Sequence, residues 1–103
     1  MMNHIKLATV LMLTSASFAQ APIPKNGFVP NKETAIRLVE AILPPICGNG
    51  CAARNHPFEA TLDNGVWTVY GNPPRPAGQR GGGMVEVHID QHTGAILSYA
   101  FAK

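Results

Sequence analysis

The chain has 103 residues, the size of one domain, with 46% hydrophobic and 14% charged residues. That balance excludes a disordered polyelectrolyte, and a formal charge of +2 without a basic run gives no footing for nucleic acid. Composition alone does not state a function.

The N-terminus reads as a targeting segment. His4 and Lys6 precede an apolar run from Leu7 to Leu13, and Thr14-Ser15-Ala16-Ser17-Phe18-Ala19 follows. A short basic start, a brief apolar core and small residues at a cutting point describe a secretory signal peptide. The apolar run is too short for a membrane span, which needs ~20 residues. Ser17 and Ala19 place the cut after Ala19. The domain expected is therefore Gln20 to Lys103, 84 residues, periplasmic or secreted. A core of that size is marginal unless stapled or bound to a partner.

Pro22, Pro24 and Gly27 mark an extended lead-in. Asn31 is a favoured helix N-cap, and Glu33 in the first turn suits the helix dipole. Ala35, Leu38, Val39 and Ile42 recur at helical spacing, and Ile36 and Leu43 widen the stripe. Lys32, Arg37 and Glu40 are expected to face away from it. Pro44-Pro45 is expected to end the helix, since neither can donate the next backbone hydrogen bond.

Cys47 and Cys51 are the only cysteines, separated by Gly48-Asn49-Gly50. In an oxidising compartment such a pair becomes a structural disulfide. The spacing is one residue longer than that of a Cys-x-x-Cys redox centre. Free thiols, or a metal pair completed from elsewhere with His56 nearest, are the alternatives.

Beyond the cysteines the period becomes two. Phe58, Ala60 and Leu62 alternate with Glu59 and Thr61 in a first strand, and Asp63-Asn64-Gly65 is a hairpin turn. Val66 to Tyr70 is the second strand, with Trp67 and Val69 inward and Tyr70 outward. Eight of the 19 Gly and Pro residues fall between Gly71 and Gly83, which marks a loop. Met84 to Ile89 is the third strand, Asp90 to Gly94 a turn, and Ala95 to Phe101 the fourth strand. One helix on a four-stranded antiparallel meander is an α+β solution.

No chemistry-bearing constellation stands out. His88, Asp90 and His92 have spacing that could converge on a metal, but Thr93-Gly94 places Asp90 in a turn, where its side chain serves the backbone. There is no Gly-x-Ser-x-Gly, no phosphate-binding loop and no paired carboxylates. No catalytic residue, cofactor or metal is expected. Tyr70, Arg75 and Arg80 are instead candidate partner-binding residues, because Tyr and Arg beside a Pro-restrained loop are types favoured at interfaces.

Several strings, taken in order, carry a resemblance. Gly27 to Ile36 leads into Glu40-Ala41-Ile42 and Pro45-Ile46 before Gly48. His56 to Ala60 precedes Asn64 to Gly71, then Gly82-Gly83, Val87-His88-Ile89 and Thr93 to Leu97. The chain resembles bacterial immunity proteins with a nuclear-transport-factor-2-like, cystatin-like fold, over Gly27 to Lys103. The resemblance implies a protein that binds and neutralises a cognate toxin, without catalytic residues. Together with the leader, it points to a toxin acting in the cell envelope. The sequence departs from the family at Cys47, where an aromatic is usual, and in the long Asn72–Arg80 loop. The hairpin Asp90 to Leu97 also resembles that of PepSY domains, implying an inhibitor or chaperone of an envelope peptidase as the alternative.

Overall fold

The computed structural model describes residues 19–75 and 84–102. The leader, apart from Ala19, and Arg80 lie outside the described residues. The elements are α1 (Lys32–Cys47), α2 (Cys51–Asn55), β1 (Phe58–Asp63), β2 (Val66–Gly71), β3 (Val85–Asp90) and β4 (Ile96–Phe101). The four strands form one antiparallel sheet in the order β1-β2-β3-β4, and α1 lies across β1 and β2. This is the expected helix on a four-stranded meander.

Asn31 caps α1 through its side-chain oxygen, which accepts the Thr34 N–H at 2.9 Å. The innermost residues of α1 are Ala35, Val39 and Leu43, all fully buried, while Ile36, Leu38 and Ile42 flank them. The apolar stripe is therefore centred on one i, i+4, i+8 row. Glu40 is not turned away into solvent alone; its carboxylate lies 3.0 Å from His56 Nε2.

The expectation that Pro44-Pro45 ends the helix is corrected. Both prolines lie inside α1, which continues to Cys47. Proline's fixed φ is compatible with helix, so the last turn forms although two N–H donors are missing. The Gly48 N–H closes it by donating to the Pro44 carbonyl at 2.9 Å. Gly48 takes φ 92°, a value that glycine adopts without Cβ strain.

Cys47 and Cys51 are joined by a disulfide that ties the end of α1 to the start of α2. α2 has no counterpart in the sequence reading, since five residues carry no periodic signal. So short a ring removes little chain entropy, about 2 kcal/mol on the loop-closure estimate. Replacing both cysteines by Ser should therefore leave a folded protein whose stability, read from its urea midpoint, falls by no more than that amount. Loss of the cooperative transition would show that the staple holds the whole domain.

The sheet's inner face carries Phe58, Ala60, Trp67, Val69, Val85, Val87 and Ile89, all buried. Val29, also fully buried, extends this core from the lead-in. Its carbonyl accepts the Trp67 indole N–H at 2.8 Å, and its N–H donates to the Gln91 carbonyl at 3.0 Å. Gly27 makes that approach feasible: a Cβ there would lie 2.4 Å from the Gln91 carbonyl oxygen. Leu62, read as inward, is 44% exposed because it sits near the open end of β1.

Candidate partner interface

The outer face of the sheet, opposite α1, is built by strand alternation. Glu59, Tyr70, Glu86 and Ala100 form one cross-strand row, and Thr61, Thr68, His88 and Ser98 the next. Asp63, Val66 and Asp90 form a third. Four of the chain's six acidic residues thus lie on one face. No strand contributes a Lys or Arg to it. Among the described residues the cations are Lys25 in the lead-in, Lys32 and Arg37 on α1, Arg54 on α2 and Arg75 after β2.

Tyr70 is half-buried on this face, between Glu59 and Glu86. It borders a groove of about 280 Å³ that runs along Met84, Glu86, Ala100 and Phe101. Arg75 reaches the same region, with its guanidinium against the Met84 sulfur. Of the three sequence candidates, Tyr70 and Arg75 are therefore brought to the same end of the sheet through Met84. Arg80 lies outside the described residues.

The remaining polar residues have local roles. His88 Nε2 sits 2.7 Å from the Glu86 carboxylate, on the outer face as its place in the alternation required. The Asp90 carboxylate accepts the Thr93 N–H at 2.8 Å and the Thr93 hydroxyl at 2.7 Å. The Thr93 hydroxyl bond, and then its backbone N–H, hold the Asp90 carboxyl below the ordinary carboxylate value. Its folded value being the lower one, the charged form supports the turn above pH ~4, and that support is lost as pH falls through the folded value.

His56 is paired with Glu40 and packs edge-on against Phe58, with ring centroids 5.1 Å apart. The two thiols that would have joined it around a metal are bonded to each other. Among the described residues, no three His, Cys, Asp or Glu side chains group around a common point.

Asn55 is the feature that sequence reading missed. It is the one buried polar side chain among the described residues, 2% exposed. Its amide donates to the Cys51 carbonyl at 2.9 Å, and its oxygen accepts the Val85 N–H at 2.8 Å. It also sits directly over Gly71, where a Cβ would come within 2.2 Å of its oxygen. Asn55 thereby fixes where β2 ends and β3 begins, on either side of the groove. No local pattern announces a bond spanning 30 residues.

Among the described residues, no helix is long and apolar enough to cross a membrane. No curated protein and no solved structure matches the chain. A family described as NTF2 fold immunity protein matches residues 34–103, which takes in most of α1 and the whole sheet. The chain belongs to this family of NTF2-fold immunity proteins.

Proposed function

We propose that this immunity protein is exported and neutralises, by occlusion, a cognate protein toxin acting in the cell envelope. Membership of the immunity family supports toxin neutralisation. Envelope action is argued from the leader-like segment ending at Ala19, and the Cys47–Cys51 bridge suits an oxidising compartment. A PepSY-like role rests on the Asp90–Leu97 hairpin alone.

The observation that carries the mode of action is the outer sheet face, which no helix among the described residues covers. It is broad, acidic and free of Lys and Arg on its strands, and it holds a half-buried tyrosine beside a groove. Such a face steers a basic surface toward it and offers Tyr70 as an anchor. Arg75 and Arg80, in the segment after β2, add forked donors for a carboxylate of the toxin. The protein acts by covering its partner, with no titrating pair required.

The test is protection of cells that export the cognate toxin. The combination Tyr70→Ala with Glu86→Lys should abolish protection, since loss of one anchor weakens binding by ~30-fold or more. Arg75→Ala with Arg80→Ala, made separately, should weaken protection in the same assay. Circular dichroism verifies that each variant is folded. Deleting residues 1–19 should remove protection in cells while leaving binding in vitro unchanged. Full protection by both sets of surface variants would move the interface away from this face.

A further inference from the structure

The two edges of the sheet are built differently. β1 is preceded by Pro57 and carries Glu59 and Asp63. Pairing β1 antiparallel with a copy of itself about Thr61 would set Glu59 against the partner's Asp63, so like charges oppose that edge. β4 has no such protection. From Ala95 to Ala102 there is no charged residue and no proline. All six residues of β4 are exposed, with Ile96 at 41%, Leu97 at 52%, Tyr99 at 53% and Phe101 at 40%.

Ile96, Tyr99 and Phe101 are registered with residues of the inner face. Tyr99 pairs with Val87 and Phe101 with Val85, both core residues, but α1 lies over β1 and β2 instead. The Tyr99 and Phe101 rings meet edge to face, with centroids 6.1 Å apart. Phe28, 54% exposed, adds to the patch beside the Gly94 turn that leads into β4.

The backbone is equally available. The Ala102 N–H donates to the Met84 carbonyl at 2.8 Å, so residues 98, 100 and 102 turn their main chain toward β3. The N–H and C=O groups of Tyr99 and Phe101 then point out of the sheet edge. An irregularity in the β3–β4 register between His88 and Ile89 leaves Ser98 to Ala102 as the regular stretch.

We propose that β4 is the seam of a two-fold homodimer, paired antiparallel with the partner's β4 about an axis at Ala100. The occupant is a second copy because the strand is neutral throughout and self-complementary. This pairing sets Tyr99 opposite the partner's Phe101 on the inner face and satisfies the outward backbone groups of both residues. A two-fold axis perpendicular to the sheet keeps both α1 helices on one side and joins the two sheets into eight strands. The inference does not rest on the toxin-binding face and stands or falls separately from it.

Sedimentation of the mature protein should give twice the chain mass, with a dissociation constant of ~10 µM or tighter. Ala100→Lys places a lysine beside Glu86 in its own sheet, which preserves the fold, but opposite its own copy across the axis. It should weaken the dimer by ~100-fold or more. The thiol introduced by Ala100→Cys should oxidise to a covalent dimer, since a non-hydrogen-bonded antiparallel pair lies ~4.5 Å apart. The thiol introduced by Ser98→Cys, which faces the partner's Ala102, should not. A monomer at ~0.5 mM overturns the proposal, as does a dimer unaffected by Ala100→Lys. Protection of β4 amides that appears only when toxin is added overturns it too, and assigns the edge to the toxin.

Discussion

Asn55→Ala should lower the stability of the domain by about 2–4 kcal/mol, read as the urea midpoint followed by circular dichroism. The substitution removes the acceptor of the Val85 N–H, and Val85 is 1% exposed, so that donor is left buried without a partner. It also frees the Cys51 carbonyl that the Asn55 amide satisfies. A domain of this size holds only about 5–10 kcal/mol in total, so the loss is a large fraction of it. Gly71→Ala attacks the same contact from the other strand, because its Cβ would meet the Asn55 oxygen at 2.2 Å. Neither backbone can yield easily at a strand end pinned on both sides. The two changes should be less than additive, since Asn55→Ala removes the oxygen and the amide carbon that a Gly71 Cβ would meet, while the Asn55 Cβ, 2.7 Å from it, remains. Additive losses, or an Asn55→Ala cost under about 1 kcal/mol, would contradict the role assigned to this residue.

Trp67→Ala should be at least as damaging, at about 3–5 kcal/mol. Trp67 is 6% exposed in the middle of β2, and its indole N–H donates to the Val29 carbonyl. Its removal empties the inner face and releases the lead-in at once. Trp67→Phe separates the two effects. It retains most of the apolar volume and loses the hydrogen bond, and should cost about 1–2 kcal/mol. Near-equal effects of the two substitutions would show that the bond to Val29, and not the buried ring, dominates. Thermal unfolding followed by circular dichroism measures both, since the chain has a single tryptophan and these variants lack it.

The features legible in the sequence are those whose cause is local. Asn31 caps α1 because an N-cap needs only the N–H three residues on. Asn64 and Gly65 turn the first hairpin with φ of 51° and 76°, the region those residue types tolerate. Asp90 and Thr93 close the second turn within four residues. Period-two alternation assigns the inner and outer faces of β2 and β3 correctly, Tyr70 and His88 included. Local rules fail where a neighbour decides the outcome. Two prolines usually stop a helix, yet the turn after them closes through Gly48 and the Cys47–Cys51 bridge. The partners of Asn55 are fixed by how β2 and β3 return past α2. The alternation of β4 looks like that of any half-buried strand. Only the placement of α1 over β1 and β2 shows that its inner side is left open.

The candidate interface is legible by residue type and not by place. Tyr70 and Arg75 are interface residue types beside a loop, and the fold brings both to Met84. The collection of Glu59, Asp63, Glu86 and Asp90 on one face depends on the pairing register of three strands. Scattered along the chain, those carboxylates give no sign of belonging together.

Neutralisation by binding is tested most directly by titrating the purified cognate toxin with the mature protein while following toxin activity and mass. The account predicts inhibition that saturates at one chain per toxin, a dissociation constant on the order of nanomolar or tighter, and toxin recovered intact and active after the complex is separated. Inactivation by substoichiometric amounts, or a change in the toxin's mass, would show that the protein acts as an enzyme and would contradict the account.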